Sequence, residues 1–297
     1  MDTDADTEVT VKRGEETPAA DAQPRVLTAM ERVRLARDPH RPGTLDYLGE
    51  LFTNVVELHG DRVFGDDRAL IGSLATFRGR SVLVLGHQGG TNTRENLERN
   101  FGMPRPEGFR KARRLMRHAE KFGIPIVTFI DTSGADPGIG SEERGQGTAI
   151  AESLLEMVAL RVPIVSVVIG EGGSGGALAI SLGDRLLMLE NAVYAVASPE
   201  ACAAILWKDA GKAAEAAETM RLTAADLQRF GIIDELIPEP VPAHDAPRET
   251  IATVGDRIAE HLDDLLETFD PADEPSVERL LAGRYDKFRQ IGAWHER

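Results

Sequence analysis

Three short apolar runs, each released into a glycine-rich exit, constrain this chain more than any other feature. Val82-Leu83-Val84-Leu85 leads into Gly86-His87-Gln88-Gly89-Gly90, and Pro125-Ile126-Val127-Thr128-Phe129-Ile130 leads into Asp131-Thr132-Ser133-Gly134. Pro163-Ile164-Val165-Ser166-Val167-Val168-Ile169 leads into Gly170-Glu171-Gly172-Gly173-Ser174-Gly175-Gly176. A run that is apolar throughout, instead of at alternate positions, belongs to a strand covered on both faces, as in a parallel sheet. Shorter runs over 186–189 and 193–196 continue the pattern. Between the runs, apolar residues recur at helical spacing. Leu45, Leu48, Leu51 and Phe52 mark one such segment, and Ile150, Leu154 and Met157 mark another after the acidic turn Glu142-Glu143. Phe109, Ala112, Met116 and Ala119 line a third, whose other face carries Arg110, Lys111, Arg113, Arg114 and Arg117 and reads as solvated, the alternative being a face that attracts ligand phosphates or a partner. A last helix runs through Ile251, Val254, Ile258, Leu262, Leu265 and Phe269, behind a linker holding Pro238, Pro240, Pro242 and Pro247. Strands alternating with helices give an α/β fold with a C-terminal helical appendage. The expected division is an acidic solvated tail over 1–24, one domain over 25–250 and C-terminal helices over 251–297. The tail has seven acids, two bases and no aromatic residue, too little to order itself.

Charge narrows the partners. The 297 residues carry a formal charge of −15, which argues against nucleic acid or an anionic membrane. No apolar run approaches the roughly 18 residues of a membrane helix, and the N-terminus has neither a basic nor an apolar segment, so a cytoplasmic protein is expected. The single cysteine, Cys202, excludes a disulfide framework and a multi-cysteine zinc site within this chain, and reads as a small core residue. His87 reads as structural.

The stretch VIGEGGSGGALA over 168–179 admits several readings. Gly170, Gly172 and Gly175 spell the G-x-G-x-x-G of a dinucleotide loop, with Glu190 twenty residues after Gly170. Glu171 would stand against a pyrophosphate, however, and only fourteen residues separate Gly170 from Arg185. Gly172-x-Ser174-x-Gly176 fits a nucleophile elbow, but the downstream histidines are a linker residue, His244, and a helix residue, His261. Gly172 and Gly173 also suit close packing. The remaining reading is an oxyanion hole, in which glycine leaves outward N–H groups uncovered and a positioned donor is worth roughly 3–4 kcal/mol.

The segments RPGTLDYLGELF (41–52), ELHGDRVFGDD (57–67), GHQGGTNTRENLERNFGMPRPEGFRKARRLM (86–116), FIDTSGADPGIGSEERGQG (129–147), VIGEGGSGGALAI (168–180) and SPEACAAILWKDA (198–210) occur in this order. Together they resemble the alpha-subunit family of the bacterial acetyl-CoA carboxylase carboxyltransferase, over about 41–292. The resemblance implies a crotonase-like (ClpP/crotonase) superhelix of ββα units and transfer of a carboxyl group from carboxybiotin, held on a carrier protein, to acetyl-CoA, giving malonyl-CoA for fatty-acid or polyketide synthesis. It implies a biotin carboxyl carrier protein, a biotin carboxylase and a beta subunit as partners, the last in an alpha2-beta2 assembly. The beta subunit would hold the zinc and the amides facing the thioester, and this chain would bind no cofactor or metal itself. By the same resemblance Gly175 and Gly176 hold the biotin ureido oxygen, and biotin takes the methyl proton, so no protein base is needed. Gly172, Gly173, Ser174, Gly134 and Gly138 belong to the surrounding loop, and His87, Gln88 and Gly89 to a CoA-side loop. The chain departs from the family pattern at Gly89 and Thr91, where lysine and arginine are usual, at Asp136, placed at the mouth of the site, and at Ala201, where glycine is usual. These departures open two alternatives: a pathway-specific paralogue for another acyl-CoA, or a non-catalytic scaffold subunit.

Overall fold

All three apolar runs lie at the centre of one sheet. The computed structural model describes residues 27–292, so the tail expected over 1–24 lies outside the described residues. Its strands are β1 (Thr53–Glu57), β2 (Leu70–Phe77), β3 (Arg80–His87), β4 (Ile126–Thr132), β5 (Ile164–Gly173), β6 (Arg185–Leu189), β7 (Val193–Ala195) and β8 (Glu235–Ile237). They are ordered β1-β2-β3-β4-β5-β6-β8, with β7 paired to the far end of β5. The first three are antiparallel, and from β3 onward every pairing is parallel. Val127 stands between Val84 and Val165 in register, which explains runs without polar alternation. The one polar pair at the centre satisfies itself, Thr128 Oγ1 donating to Ser166 Oγ at 2.8 Å. β2 and β3 are joined by Arg78-Gly79, both at positive φ, the backbone that a two-residue hairpin turn requires.

Helices cover both faces. Helix Pro106–Lys121 starts with proline at its first position and buries Phe109, Ala112, Leu115, Met116 and Ala119. Helix Thr44–Leu51 brings Tyr47 onto Phe129, ring centroids 4.9 Å apart. Helix Pro247–Glu267 contributes Ile251, Val254, Ile258, Leu262 and Leu265 to the same core as the sheet. The last helix, Glu274–Arg289, is fastened by Arg284, which is 2% exposed. Its guanidinium grips both Asp184 oxygens at 2.9 and 2.8 Å and donates to the carbonyls of Met157, Leu160 and Val162 at 2.8, 2.7 and 3.0 Å.

Two expectations are corrected here. The basic face of helix Pro106–Lys121 is not simply solvated. Lys111 is fully buried, donating to Asp66 Oδ1 and the Asp67 carbonyl at 2.7 Å each, and Arg110 pairs with Asp61 and Glu107. Asp61 also accepts the N–H groups of Val63, Phe64 and Gly65, so the HGDRVFGDD segment is a loop built to receive this helix. Burial opposes charge on Asp61, but these donors outweigh it and hold the carboxyl near 2. Cys202, expected in the core, is only half-buried on helix Pro199–Trp207. Among the described residues no helix is long and apolar enough to cross a membrane.

Candidate active site

The site lies where β3, β4 and β5 end side by side. β5 runs through Gly170, Glu171 and Gly172 and stops at Gly173, pairing with β7 over 171–173. Gly170 therefore lies inside a strand and not at a helix entrance, which removes the dinucleotide loop. Beyond Gly173, Ser174 takes a left-handed conformation, φ 52°, at a cost of about 1–2 kcal/mol for a residue with a Cβ. It begins the short helix Ser174–Leu178, where the first-turn N–H groups of Gly175 and Gly176 have no acceptor inside the helix.

Close packing and amide presentation turn out to be compatible. A Cβ at Gly173 would stand 2.2 Å from the Ser133 carbonyl oxygen, and one at Gly176 would stand 2.5 Å from Ala135 N. Both positions press backbone against the loop after β4. Thr132 Oγ1 fixes that loop by accepting the Gly134 N–H at 3.1 Å and donating to the Gly134 carbonyl at 2.8 Å. A Cβ at Gly175, by contrast, meets only Ile150 at an ordinary 3.5 Å. Gly175 is half-buried and Ser174 exposed, so one edge of the turn stays accessible.

His87 stands behind the turn. It is fully buried, its Nδ1 accepts the Asp131 N–H at 3.3 Å, and its Nε2 lies 3.2 Å from the Gly176 carbonyl. Nδ1 acts as an acceptor, so the proton sits on Nε2 and is donated to Gly176. Burial pulls the imidazole down to about 4, and it is neutral at physiological pH.

On the other side of Asp131 opens a cleft of about 260 Å³, lined by Arg37, Gln88, Gly89, Gly90, Asp131 and Glu171 among others. Gln88 is fixed there, accepting the Leu45 N–H at 2.8 Å and donating to the Gly89 carbonyl at 2.8 Å. Asp131 Oδ1 accepts the Glu171 N–H at 2.9 Å. Burial pushes the Asp131 carboxyl up to about 6, opposed by the hydrogen bond from the Glu171 N–H and by the charge of Arg41, with the Glu171 carboxylate adding a smaller upward push. The cleft is acidic: Arg37 and Arg41 face Asp38, Asp46, Asp131 and Glu171. Both arginines are engaged, Arg37 with Glu171 at 2.6 Å and Glu200 at 2.9 Å, Arg41 with the buried Glu239 at 2.9 Å.

Gly172, Gly173, Ser174, Gly175, Gly176 and Gly134 thus converge, with His87 behind them, while Gln88 and Gly89 line the neighbouring cleft. Gly138 is set apart: it caps the short helix Ile139–Glu143 and packs on the Asp136 carboxylate. Asp136 is not a repelling charge at an open mouth. It is largely buried, accepts from Ser141 Oγ at 2.5 Å, and lies 3.9 Å from Arg105 Nε. The sequence reading missed Asp131, Glu171 and Arg37 as site residues. The signals were present, Asp131 being the first polar residue after its apolar run and Glu171 the only charge among the glycines. A larger cavity, about 670 Å³, opens beside the last two helices and shares no residue with the glycine turn. Lys287, Arg284 and Arg185 in it are each paired, with Asp234, Asp184 and Asp264.

Residues 2–292 match the family model described as acetyl co-enzyme A carboxylase carboxyltransferase-like. The chain is 54% identical over 271 residues to the acetyl-coenzyme A carboxylase carboxyl transferase subunit alpha of Geobacter metallireducens, covering 91% of this chain and 83% of that one. It is 55% identical over 266 residues to the same subunit of Shouchella clausii, covering 90% and 80%. Among solved structures, transcarboxylase 12S superposes with a TM-score of 0.64 at 20% identity, over 82% of this chain. This chain spans about half of that one, 46%, and the likeness supports the crotonase-like fold expected from the sequence.

Proposed function

The chain belongs to the acetyl-CoA carboxylase carboxyltransferase alpha-subunit family, and on that premise we propose that its part in carboxyl transfer is made by the Gly175 and Gly176 amides. The observation that carries the proposal is the pair of N–H groups without an intrahelical acceptor, beside an uncovered edge, on a turn that packing fixes from behind. Such donors fit a ureido oxygen, a compact acceptor that gains negative charge as the carboxyl group leaves. Carboxybiotin, presented on a carrier protein, supplies the activated carboxyl group. The residues of this chain bind and orient: Gly175 and Gly176 donate, Ser174 and Gly134 shape the turn, and Gly172 and Gly173 seat it against the loop after β4. No side chain here has to move a proton. Fixed amides act through charge complementarity alone, which a glycine-lined site can supply.

We assign the thioester side of the reaction to a partner beta subunit, which would also hold the zinc. The single cysteine of this chain is consistent with that division. The assembly would be alpha2-beta2, would work in the cytoplasm with the carrier protein and biotin carboxylase, and would take acetyl-CoA. The direct test is Gly175→Val, at a position where an added Cβ meets only Ile150, at 3.5 Å. In the complex with the cognate beta subunit, turnover should fall about 10²–10³-fold, the size of one lost oxyanion donor, with assembly intact. Near-normal turnover would remove these amides from the chemistry. The isolated alpha chain should show no malonyl-CoA decarboxylation in the presence of biotin, and activity there would overturn the division between subunits.

A further inference from the structure

We propose that His87 is a positioning residue for carboxyl transfer, its ring holding the Gly176 carbonyl so that the adjoining amides keep their direction. The inference rests on the reading of Gly175 and Gly176 given above. His87 is the last residue of β3, the end of the run that feeds the site. Three separate segments meet on it. Its Nε2 bonds the Gly176 carbonyl at 3.2 Å, its Nδ1 takes the Asp131 N–H at 3.3 Å, and its own carbonyl accepts from Thr44 Oγ1 at 2.6 Å. The ring thus spans from the turn that presents amides to the strand end that lines the cleft.

The chemistry of the ring suits the task. A neutral imidazole offers one donor and one acceptor on opposite edges of a rigid plane, and both are used here. The carbonyl of Gly176 belongs to the peptide unit that follows this residue, so a donor fixed on it fixes the rotation of the turn about its own backbone. Oxyanion donors lose their value when they must reorient during the reaction. Protonation would turn Nδ1 from an acceptor into a donor facing the Asp131 N–H. Burial keeps the ring from charging until about pH 4, which protects the arrangement through the working range.

The test uses the assembled alpha–beta complex, with free biotin and malonyl-CoA as substrates of the reverse reaction. His87→Leu keeps bulk but removes both bonds, and His87→Gln restores a donor and an acceptor on a flexible chain. For His87→Leu, kcat/KM for biotin should fall about tenfold or more, roughly the loss of one hydrogen bond, while KM for malonyl-CoA stays within about twofold. His87→Gln should recover part of the loss. A merely structural histidine would lower the yield of folded complex and leave the kinetics of the surviving complex unchanged for both substrates. That result, or equal changes for biotin and malonyl-CoA, overturns the proposal. If His87→Leu does not assemble, His87→Gln carries the test through the same ratio. Gly175→Val in the same assay separates the two readings: if it leaves biotin kinetics intact, the amide site itself is wrong. If Gly175→Val impairs them and the His87 variants do not, only the positioning role falls.

Discussion

Gly176 and Ala135 meet backbone to backbone: a Cβ on Gly176 would stand 2.5 Å from the Ala135 nitrogen, and no side-chain rotation can relieve that contact. Its neighbour Gly175 has room for the same atom, 3.5 Å from Ile150. The two glycines of one pair therefore differ in the room they leave for a side chain, and substitutions should separate them. Gly176→Ala should destabilise the chain by about 1–3 kcal/mol, as overpacking does, whereas Gly175→Ala should stay below about 1 kcal/mol. Urea unfolding of the two variants decides the matter, and equal losses would mean that the loop after β4 gives way.

Arg284 should be among the costliest residues to truncate. It is fully buried with Asp184 and bonds three carbonyls at and just after the end of helix Gln146–Ala159. Arg284→Ala strands a buried carboxylate and three acceptors, so a loss of about 3–5 kcal/mol is expected. Arg284→Met fills the space without serving the carbonyls and should recover only a minor part. A change below about 1 kcal/mol in the unfolding free energy would show that the last helix is held by its apolar contacts instead.

Particular elements show what the sequence discloses. β3, β4 and β5 are legible because they are buried on both faces and so are apolar at nearly every position, a pattern that needs no partner to be recognised. β2 escapes notice. Its segment Leu70-Ile71-Gly72-Ser73-Leu74-Ala75-Thr76-Phe77 mixes small and polar residues, and its place is set by the hairpin at Arg78-Gly79 and by helix Pro106–Lys121 packing over it. The glycine turn is visible as letters, but letters do not say that Gly170 is still in a strand while Gly175 is in a helix. That distinction comes from β7, which extends β5 by pairing over 171–173. Charge is the least legible property. Lys111 and Arg110 look solvated because helical periodicity puts them opposite Phe109, and only the loop 57–67, remote in sequence, turns them inward.

The cleft beside Asp131 predicts a gain of function. Gly89 lines it, and a side chain there meets nothing nearer than Asn96 at 3.8 Å. Both arginines in the cleft are committed to acids, so among the described residues no free cation answers an anionic substrate there. Gly89→Lys should lower KM for acetyl-CoA by up to about fivefold, an exposed ion pair being worth at most about 1 kcal/mol. The gain should shrink as salt rises. A KM unmoved at every ionic strength would place the CoA phosphates against the partner subunit. Thr91→Arg is the less clean variant, because Thr91 holds Glu95 through both its N–H and its hydroxyl, at 3.0 and 2.9 Å.

Asp131 and His87 titrate in opposite senses on either side of one hydrogen bond, and this sets a testable pH dependence. The Asp131 carboxyl rises from 3.8 to about 6 in the fold, chiefly through burial. Between these values the folded chain holds a proton that the unfolded chain has lost, so stability falls as pH rises through the window, and the cost is complete above about 6. His87 moves from 6.5 down to about 4, again through burial. Between those values the unfolded chain holds the extra proton, so stability rises with pH. Each slope is at most about 1.4 kcal/mol per pH unit, and from about pH 4.5 to 6 they largely cancel. Asp61, held near 2, titrates outside the window. Asp131→Asn removes only the falling half, and an amide oxygen can still accept the Glu171 N–H. The variant should match the wild type near pH 4, gain steadily with pH, and exceed it by about 1–3 kcal/mol at pH 7. Urea midpoints at pH 4.5, 5.5 and 7 measure this directly. A difference between variant and wild type that does not change with pH would mean that Asp131 is ionised throughout, and that the cleft is wetter than its geometry indicates.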